Sequence, residues 1–305
     1  ATTDDHRARE RGYKWHEQIS FGDLQVRRDA IVLYEHWYAD DIRSVGMQHM
    51  FTSGYFDNFE RQLHECLDLR VPDVNFNGIL MIDTEFVDLS WCNRTGGPGI
   101  YQESWRGPKQ FDDWFTYIRN NRPELIRNLD SAQTEAILAQ TYEAAVRQWT
   151  EFKYSTVRRL RPQAKLTGYG IPSGSWHSDY ERPDSRAKAG NDRMAWLISL
   201  QDVINVVLYQ DHYTVPAGVT PSKPRYFTEE QSRLYIFSNV REARRIAQGK
   251  PVVGLAMMTY QEMVPDFAGQ FLTPRALHNQ IALPKEAGVD GLILWAHFDS
   301  QQTFT

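Results

Sequence analysis

The segment Gly78-Ile79-Leu80-Met81-Ile82-Asp83-Thr84-Glu85 is the most informative part of this sequence. Its first five residues form an apolar run, which predicts a buried strand. Two carboxylates, those of Asp83 and Glu85, follow at the end of that run. Because side chains at positions i and i+2 point to the same face of a strand, we expect these two acids to share one environment.

Seven apolar runs in the chain predict strands, with amphipathic segments that predict helices between them. The runs are residues 30–34, 45–50, 78–82, 165–169, 203–209, 251–257 and 291–295, of which the second is weaker. Continuous apolar runs indicate burial on both faces, which is typical of parallel strands. The sequence therefore predicts an α/β fold, a single (β/α) TIM-like barrel. Long loops are expected at residues 90–111, 172–192 and 211–226, each after a predicted strand.

Helices are expected in four places between these runs. They are the apolar stripe of Phe59, Leu63, Cys66 and Leu67, and the segments that begin at Asp130-Ser131, Thr228 and Thr273-Pro274. Thr228 and Gln231 match a capping box, and Thr273-Pro274 matches an N-cap followed by proline at the first helical position.

Size and composition limit the class of protein. The chain has 305 residues, 41% hydrophobic and 24% charged, as in a globular protein with a large core. Its formal charge of −5 provides no basic footprint for nucleic acid. No apolar run reaches the ~18–20 residues of a membrane span. We expect residues 1–25 to form a polar N-terminal extension packed on one catalytic barrel of residues 26–305.

The cysteines and the first residues bear on location. Cys66 and Cys92 allow one disulfide without requiring it, and Cys66 is expected to be a core thiol. The sequence begins without methionine, which fits removal of a leader or a trimmed chain. We predict a secreted or periplasmic protein whose signal peptide is not visible. No cofactor or metal is predicted, and the oligomeric state stays open.

Acidic and aromatic residues follow the predicted strands. Because barrel enzymes keep their active sites at the carboxyl ends of the strands, we expect these residues to converge at one mouth. They are Glu35, Trp37, Asp83, Glu85, Tyr169, Tyr209, Tyr213, Tyr260, Glu262 and Trp295. Two close carboxylates in different surroundings can titrate apart, and flat rings can stack on sugars. The pattern therefore predicts a carbohydrate substrate and hydrolysis of a glycosidic bond.

Four segments resemble the hyaluronidase family of glycoside hydrolases, as in a distant relative. Residues 71–85 are similar to the family's strand that ends in Asp-x-Glu, and residues 159–169 to its Leu-Arg-Pro…Gly-Tyr-Tyr segment. Residues 207–213 stand where the family has Ala-Leu-Tyr-Pro-Ser-Ile-Tyr, and residues 271–295 resemble its final helix and strand. The matches occur in order over about residues 70–296. The resemblance implies a distorted barrel with seven strands.

The resemblance also implies a substrate-assisted, retaining mechanism on an N-acetylhexosamine unit. Glu85 would be the general acid/base, Asp83 would orient the N-acetyl group, and Tyr213 would hold the acetamide. The carbonyl oxygen of the substrate would then be the nucleophile. Further substrate contacts are expected from Tyr169, Trp295, Tyr209, Tyr260, Glu262 and Trp37. Phe86-Val87-Asp88 replaces the family's Trp-Arg-Pro, so the sugar itself stays open.

Three alternatives remain at this point. The first is a two-carboxylate glycosidase on a non-acetylated sugar, with Glu85 as acid and Glu262 or Glu35 as its partner. The second is a carbohydrate-binding barrel without catalysis. The third is a metal-dependent hydrolase, whose candidate ligands would be His177, Asp179, Asp211, His212, His297 and Asp299.

Overall fold

The computed structural model describes residues 18–21, 24–27, 30–84, 87–91, 109–170, 185–209, 212–223, 226–260, 264 and 266–295. Its strands are β1 (Gln18–Phe21), β2 (Leu24–Arg27), β3 (Ala30–Leu33), β4 (Ile79–Ile82), β5 (Lys165–Gly168), β6 (Ile204–Val207), β7 (Tyr213–Thr214), β8 (Tyr226–Phe227), β9 (Val252–Met257) and β10 (Gly291–Trp295). Its α-helices are α1 (Asp40–Val45), α2 (Tyr55–Arg70), α3 (Lys109–Asn121), α4 (Ser131–Leu160), α5 (Ser185–Arg193), α6 (Ala195–Leu200), α7 (Glu229–Ala247) and α8 (Pro274–Ala287). Short 3-10 helices span Glu35–Trp37, Met47–Phe51 and Pro123–Leu125.

Six parallel strands form two three-stranded sheets. One sheet has the order β3-β4-β5 and the other the order β10-β9-β6. The sheets meet at a seam that consists of Leu166, Asp202 and Val203. The amides of Asp202 and Val203 donate to the Leu166 carbonyl at 2.8 and 3.3 Å, and the Leu166 amide donates to Asp202 Oδ2 at 2.9 Å. Successive strands thus lie side by side, as in a (β/α) barrel, although the strand pairing within the described ranges does not close a barrel.

The two faces of these sheets have different neighbours. Leu80, Ile82 and Leu166 belong to the large core that the surrounding helices complete. Met81 alternates with them, and Asn205 Nδ2 lies 3.5 Å from Met81 Sδ. Since β5 separates their strands, Met81 and Asn205 must project from the same face. We call the face that carries Met81, Thr167 and Asn205 the inner face; Thr167 is paired with Met81 in register.

The predicted strand at residues 45–50 is wrong. These residues form the end of α1 and most of the 3-10 helix Met47–Phe51. Met47 and Met50 are buried three residues apart, which is the helical and not the strand period. Gly46, with φ of 107°, separates the two helices, a conformation that favours glycine. The other six predicted strands are confirmed.

The expected loops need revision. α3 begins at Lys109 and α5 at Ser185, inside two of the predicted loops, and β7 pairs with β8 across the third. Residues 92–108 and 171–184 lie outside the described ranges. β1 pairs with β2 as an antiparallel hairpin, and the division into an extension and one barrel stays a prediction.

The predicted helix starts are confirmed by their caps. Asp130 and Gln133 form a capping box at the start of α4, as do Thr228 and Gln231 at α7. The Thr273 hydroxyl accepts from an amide in the first turn of α8. None of the helices described is both long enough and apolar enough to cross a bilayer.

Candidate active site

Asp83 lies one residue beyond β4, where the strand pairing continues. Its amide donates to the Leu33 carbonyl at 3.1 Å, so the backbone still follows the sheet. It is two residues after Met81, and strand alternation therefore places it on the inner face. Only 3% of the residue is exposed. Asp83 is thus a buried residue at the carboxyl end of the middle strand of its sheet. The sequence predicted its place at a strand end, and its catalytic role stays a prediction.

Two tyrosines lie on the same face beside Asp83. Tyr169 follows β5, and its amide donates to the Ile82 carbonyl at 3.2 Å, which sets it opposite Asp83. The rings of Tyr169 and Tyr209 have centroids 6.4 Å apart. We call Asp83, Tyr169 and Tyr209 the strand-end group. The structure brings together one acid and two phenols at the carboxyl ends of β4, β5 and β6, an arrangement suited to binding a polar, ring-shaped ligand.

A buried ion pair supports this group from the helix side. Lys153 Nζ lies 2.8 Å from Glu35 Oε1, and both side chains are 0% exposed. The same ammonium donates to the Asp83 carbonyl at 3.2 Å. Glu35 therefore serves as the counterion of Lys153, in a place closed to solvent. Its location argues against the two-carboxylate alternative in the form that used Glu35.

Tyr38 lies against the same backbone group. Its hydroxyl approaches the Asp83 carbonyl at 3.5 Å. Burial raises the pKa of Tyr38 well above its ordinary value, and the nearby negative charges of Glu35 and Asp83 raise it further. The phenol consequently stays protonated and can act only as a neutral donor near Asp83.

Tyr213 and Tyr260 lie in a separate aromatic cluster. Among the described residues, the Tyr213 ring stacks on Phe267 at 4.4 Å and lies 5.1 and 6.0 Å from the rings of Tyr226 and Tyr260. Tyr260 is 2% exposed, and burial raises its pKa. Tyr260 is therefore a core residue of this cluster in the structure, and Tyr209, not Tyr213, is the neighbour of Tyr169.

The remaining predicted contacts are placed only in part. The Arg70 guanidinium lies 4.0 Å from the centroid of Trp37, which therefore packs on the last turn of α2. The backbone of Trp295 is paired with Met257 at the carboxyl end of β10. Glu85 and Glu262, and the side chain of Trp295, lie outside the described residues, so their roles stay predictions.

The metal-site alternative gains no support. In the described ranges, no three residues among His, Cys, Asp and Glu are grouped as metal ligands would be. His212 is buried, with Nε2 3.1 Å from the Ser232 hydroxyl and its ring stacked on Phe227 at 4.2 Å. It is thus a core histidine. The other five candidate ligands, at positions 177, 179, 211, 297 and 299, lie outside the described residues.

Lys153 is the site residue that the sequence reasoning missed. It lies four residues after Trp149, on the apolar stripe of α4, and a charge in that stripe was the available signal. An isolated lysine on an apolar face needs a buried partner, since an unpaired buried charge is costly.

Comparison with known proteins finds similarity to hyaluronidases. No family model matches the chain. Hyaluronidase-1 of Homo sapiens is 22% identical over 241 residues, which cover 76% of this chain and 49% of the human protein. The hyaluronidase of Polybia paulista is 23% identical over 239 residues, which cover 77% of this chain and 74% of the wasp protein. The chain thus spans about half the length of the human protein and about three quarters of the Polybia paulista protein.

Solved structures give the same result at the level of the fold. Bee venom hyaluronidase in its monoclinic crystal form matches with a TM-score of 0.66 and 20% identity, over 89% of this chain and 80% of that one. The same protein in complex with a hyaluronic acid tetramer matches with a TM-score of 0.60, over 79% and 68%. At this identity, the likeness concerns the fold.

Proposed function

We propose that this chain, a distant relative of the hyaluronidases, is a glycoside hydrolase that cleaves a polysaccharide or oligosaccharide at an N-acetylhexosamine unit. The proposal includes a single (β/α) barrel as its scaffold. The observation that carries it is the strand-end group at the carboxyl ends of parallel strands, in which a buried Asp83 stands opposite Tyr169 and the Tyr169 ring lies 6.4 Å from that of Tyr209. Barrel enzymes have their active sites at this end.

The proposed chemistry assigns a separate role to each acid. Glu85 protonates the departing glycosidic oxygen, while the acetamide oxygen of the substrate attacks the sugar carbon and forms a cyclic intermediate. Glu85 then takes a proton from a water molecule, which attacks the same sugar carbon and opens the ring of the cyclic intermediate. Two displacements at one carbon restore the original anomeric configuration. Asp83 accepts a hydrogen bond from the acetamide N–H and so aligns the attacking oxygen. No enzyme carboxylate attacks, as in other substrate-assisted exceptions to the two-carboxylate rule.

We assign the acetamide-holding hydroxyl to Tyr209 in place of Tyr213. Tyr209 has its ring next to Tyr169, which stands opposite Asp83, whereas the Tyr213 ring is stacked on Phe267. Tyr209→Phe should therefore lower kcat more than Tyr213→Phe. Equal or reversed effects would return the role to Tyr213.

The test of the function itself is Glu85→Gln. Loss of a general acid typically costs about 10²–10⁴-fold in rate. We expect a loss in kcat of at least that size with little change in oligosaccharide affinity, because the amide keeps the shape of the carboxyl. Glu65→Gln is the matched control, since Glu65 is exposed and, within the described part of the chain, pairs only with Arg61 on the same helix. An active Glu85→Gln enzyme would refute the proposal.

A second measurement separates the mechanisms. An N-acetylated oligosaccharide should be cleaved, and its de-N-acetylated counterpart should not, because only the former carries the nucleophile. Equal turnover of the two would favour a second enzyme carboxylate, for which Glu262 and Glu35 are the candidates. Secretion or periplasmic location stays a prediction, which fractionation of the producing cells would test.

A further inference from the structure

We infer that Lys153 is a positioning residue of the proposed active site. Its ammonium, kept in place by Glu35, fixes the backbone carbonyl of Asp83 and thereby the orientation of the Asp83 carboxylate. The inference rests on the proposed function, because it concerns the same carboxylate. It adds a residue that would touch no substrate and would act only through Asp83.

Three elements meet at the Lys153 ammonium. Lys153 comes from the C-terminal half of α4, Glu35 from the 3-10 helix that follows β3, and Asp83 directly follows β4. Nζ lies 2.8 Å from Glu35 Oε1, 3.2 Å from the Asp83 carbonyl oxygen and 4.2 Å from the centroid of the Trp149 ring. The ammonium therefore links the helix layer to the first residue beyond the strand.

Burial makes this arrangement unlike a surface ion pair. Both Lys153 and Glu35 are 0% exposed, so water does not compete for their hydrogen bonds. An ion pair at such a depth is not needed for stability, because apolar residues of similar volume often stabilise a core as well or better. Trp149, Tyr38 and Phe59, which are all buried nearby, would accept such a replacement.

An apolar pair could not donate to the Asp83 carbonyl. Asp83 is the first residue after β4. The orientation of its peptide plane sets the direction of its side chain. A bond from a rigidly held ammonium limits rotation of that plane. Since small misplacements of a reacting or orienting group can cost large factors in rate, loss of this bond should lower kcat and leave KM nearly unchanged.

The experiment compares Glu35→Gln with the double variant Glu35→Gln/Lys153→Met. Both lack the buried carboxylate, and only the double variant lacks the Lys153 donor to the Asp83 carbonyl, which keeps the longer contact of the Tyr38 hydroxyl at 3.5 Å. In the single variant the ammonium loses its anion but can still donate to the amide oxygen of the new glutamine, so urea unfolding checks that both variants are folded. On an N-acetylated oligosaccharide we expect the double variant to have a kcat about 10–100-fold below that of the single variant, with KM changed by less than about 3-fold. A further variant, Glu35→Leu/Lys153→Met, removes the donor with an apolar pair and should show the same loss.

Hydrogen exchange gives a readout that does not depend on activity. In the double variants, the peptide of residues 80–91 should exchange about 10-fold faster or more than in Glu35→Gln, while α7 should exchange unchanged. Folded double variants with the kcat and the exchange of the single variant would overturn the inference, even if Glu85→Gln is inactive and the proposed function stands. If the native protein does not cleave the oligosaccharide, the proposed function fails, and exchange alone decides whether the ammonium holds this backbone.

Discussion

Two buried tyrosines on α4 should respond in opposite directions to the loss of their hydroxyl groups. The Tyr142 hydroxyl lies 2.8 Å from the Asp88 carbonyl and 2.7 Å from Gln110 Oε1. The Tyr154 hydroxyl is buried and has no hydrogen-bond partner among the described residues. Burial also raises the pKa of Tyr154, so its phenol stays neutral. Tyr142→Phe and Tyr154→Phe therefore remove the same atom from two different environments.

The magnitudes follow from the hydrogen bonds that each change affects. Tyr142→Phe removes a bond that contributes about 0.5–1.5 kcal/mol and leaves buried acceptors behind, so it should cost about 1–3 kcal/mol. Tyr154→Phe removes a buried hydroxyl that gains nothing from the fold, so the free energy of unfolding should rise by about 1 kcal/mol.

Gly168 provides a coupled test of the same hydroxyl. A Cβ at this position would lie 2.9 Å from the Tyr154 hydroxyl oxygen and 3.0 Å from Gln201 Nε2. Gly168→Ala should thus cost about 1–3 kcal/mol by overpacking. In the Tyr154→Phe background the cost should be smaller by about 1 kcal/mol, because one of the two close atoms is gone.

Urea unfolding followed by circular dichroism measures all of these changes at a constant m-value. The matched comparison is the difference between the two Tyr→Phe variants, which share a helix and a nearly complete burial. If Tyr154→Phe destabilises the protein as much as Tyr142→Phe, the Tyr154 hydroxyl has a partner and the reasoning is refuted. Absence of coupling with Gly168→Ala would refute the steric part.

Two further predictions concern titrating groups. Burial raises the pKa of Cys66 to about 11, so a thiol reagent at pH 8 should label it only after unfolding, and rapid labelling of the folded protein would contradict its burial. The Arg244 guanidinium holds the pKa of Asp290 below its ordinary value, so this carboxylate contributes stability above pH ~4 that is lost as the pH falls through the lower folded value. Because the pair is partly exposed, Asp290→Asn should reduce the loss of unfolding free energy at low pH by less than about 1 kcal/mol. Urea titrations at low pH that show the same loss in the native protein and the variant would contradict this.

The sequence predicted the positions of the strands better than it predicted the packing of the segments that follow them. Residues 78–82 and 251–257 are continuous apolar runs, and these became parallel strands because only burial on both faces tolerates such runs. Residues 45–50 are less apolar, because Gly46, Gln48 and His49 interrupt the run, and so weak a pattern fits a helix as well as a strand. Its two methionines settle the choice only when the packing partners are known.

The candidate site shows the same division between local and distant information. Asp83, Tyr169 and Tyr209 could be placed together because parallel strands end at one edge. The separation of Tyr213 from Tyr209 depends on β7, a strand of two residues whose partner is β8, and no local pattern encodes that pairing. Lys153 could not be assigned because its partner, Glu35, is 118 residues earlier in the chain.

The seam between the two sheets has a mechanical consequence for the strand-end group. Asp83 and Tyr169 belong to one sheet and Tyr209 to the other, and Asp202 contacts Leu166 with both its amide and its carboxylate. Arg158 anchors that carboxylate at 3.0 Å, with both side chains partly exposed to solvent. Dissolved salt can screen this partly exposed ion pair, but it does not screen the backbone hydrogen bonds from Asp202 and Val203 to Leu166. The two sheets, and with them the strand-end group, should therefore stay joined over a wide range of ionic strength.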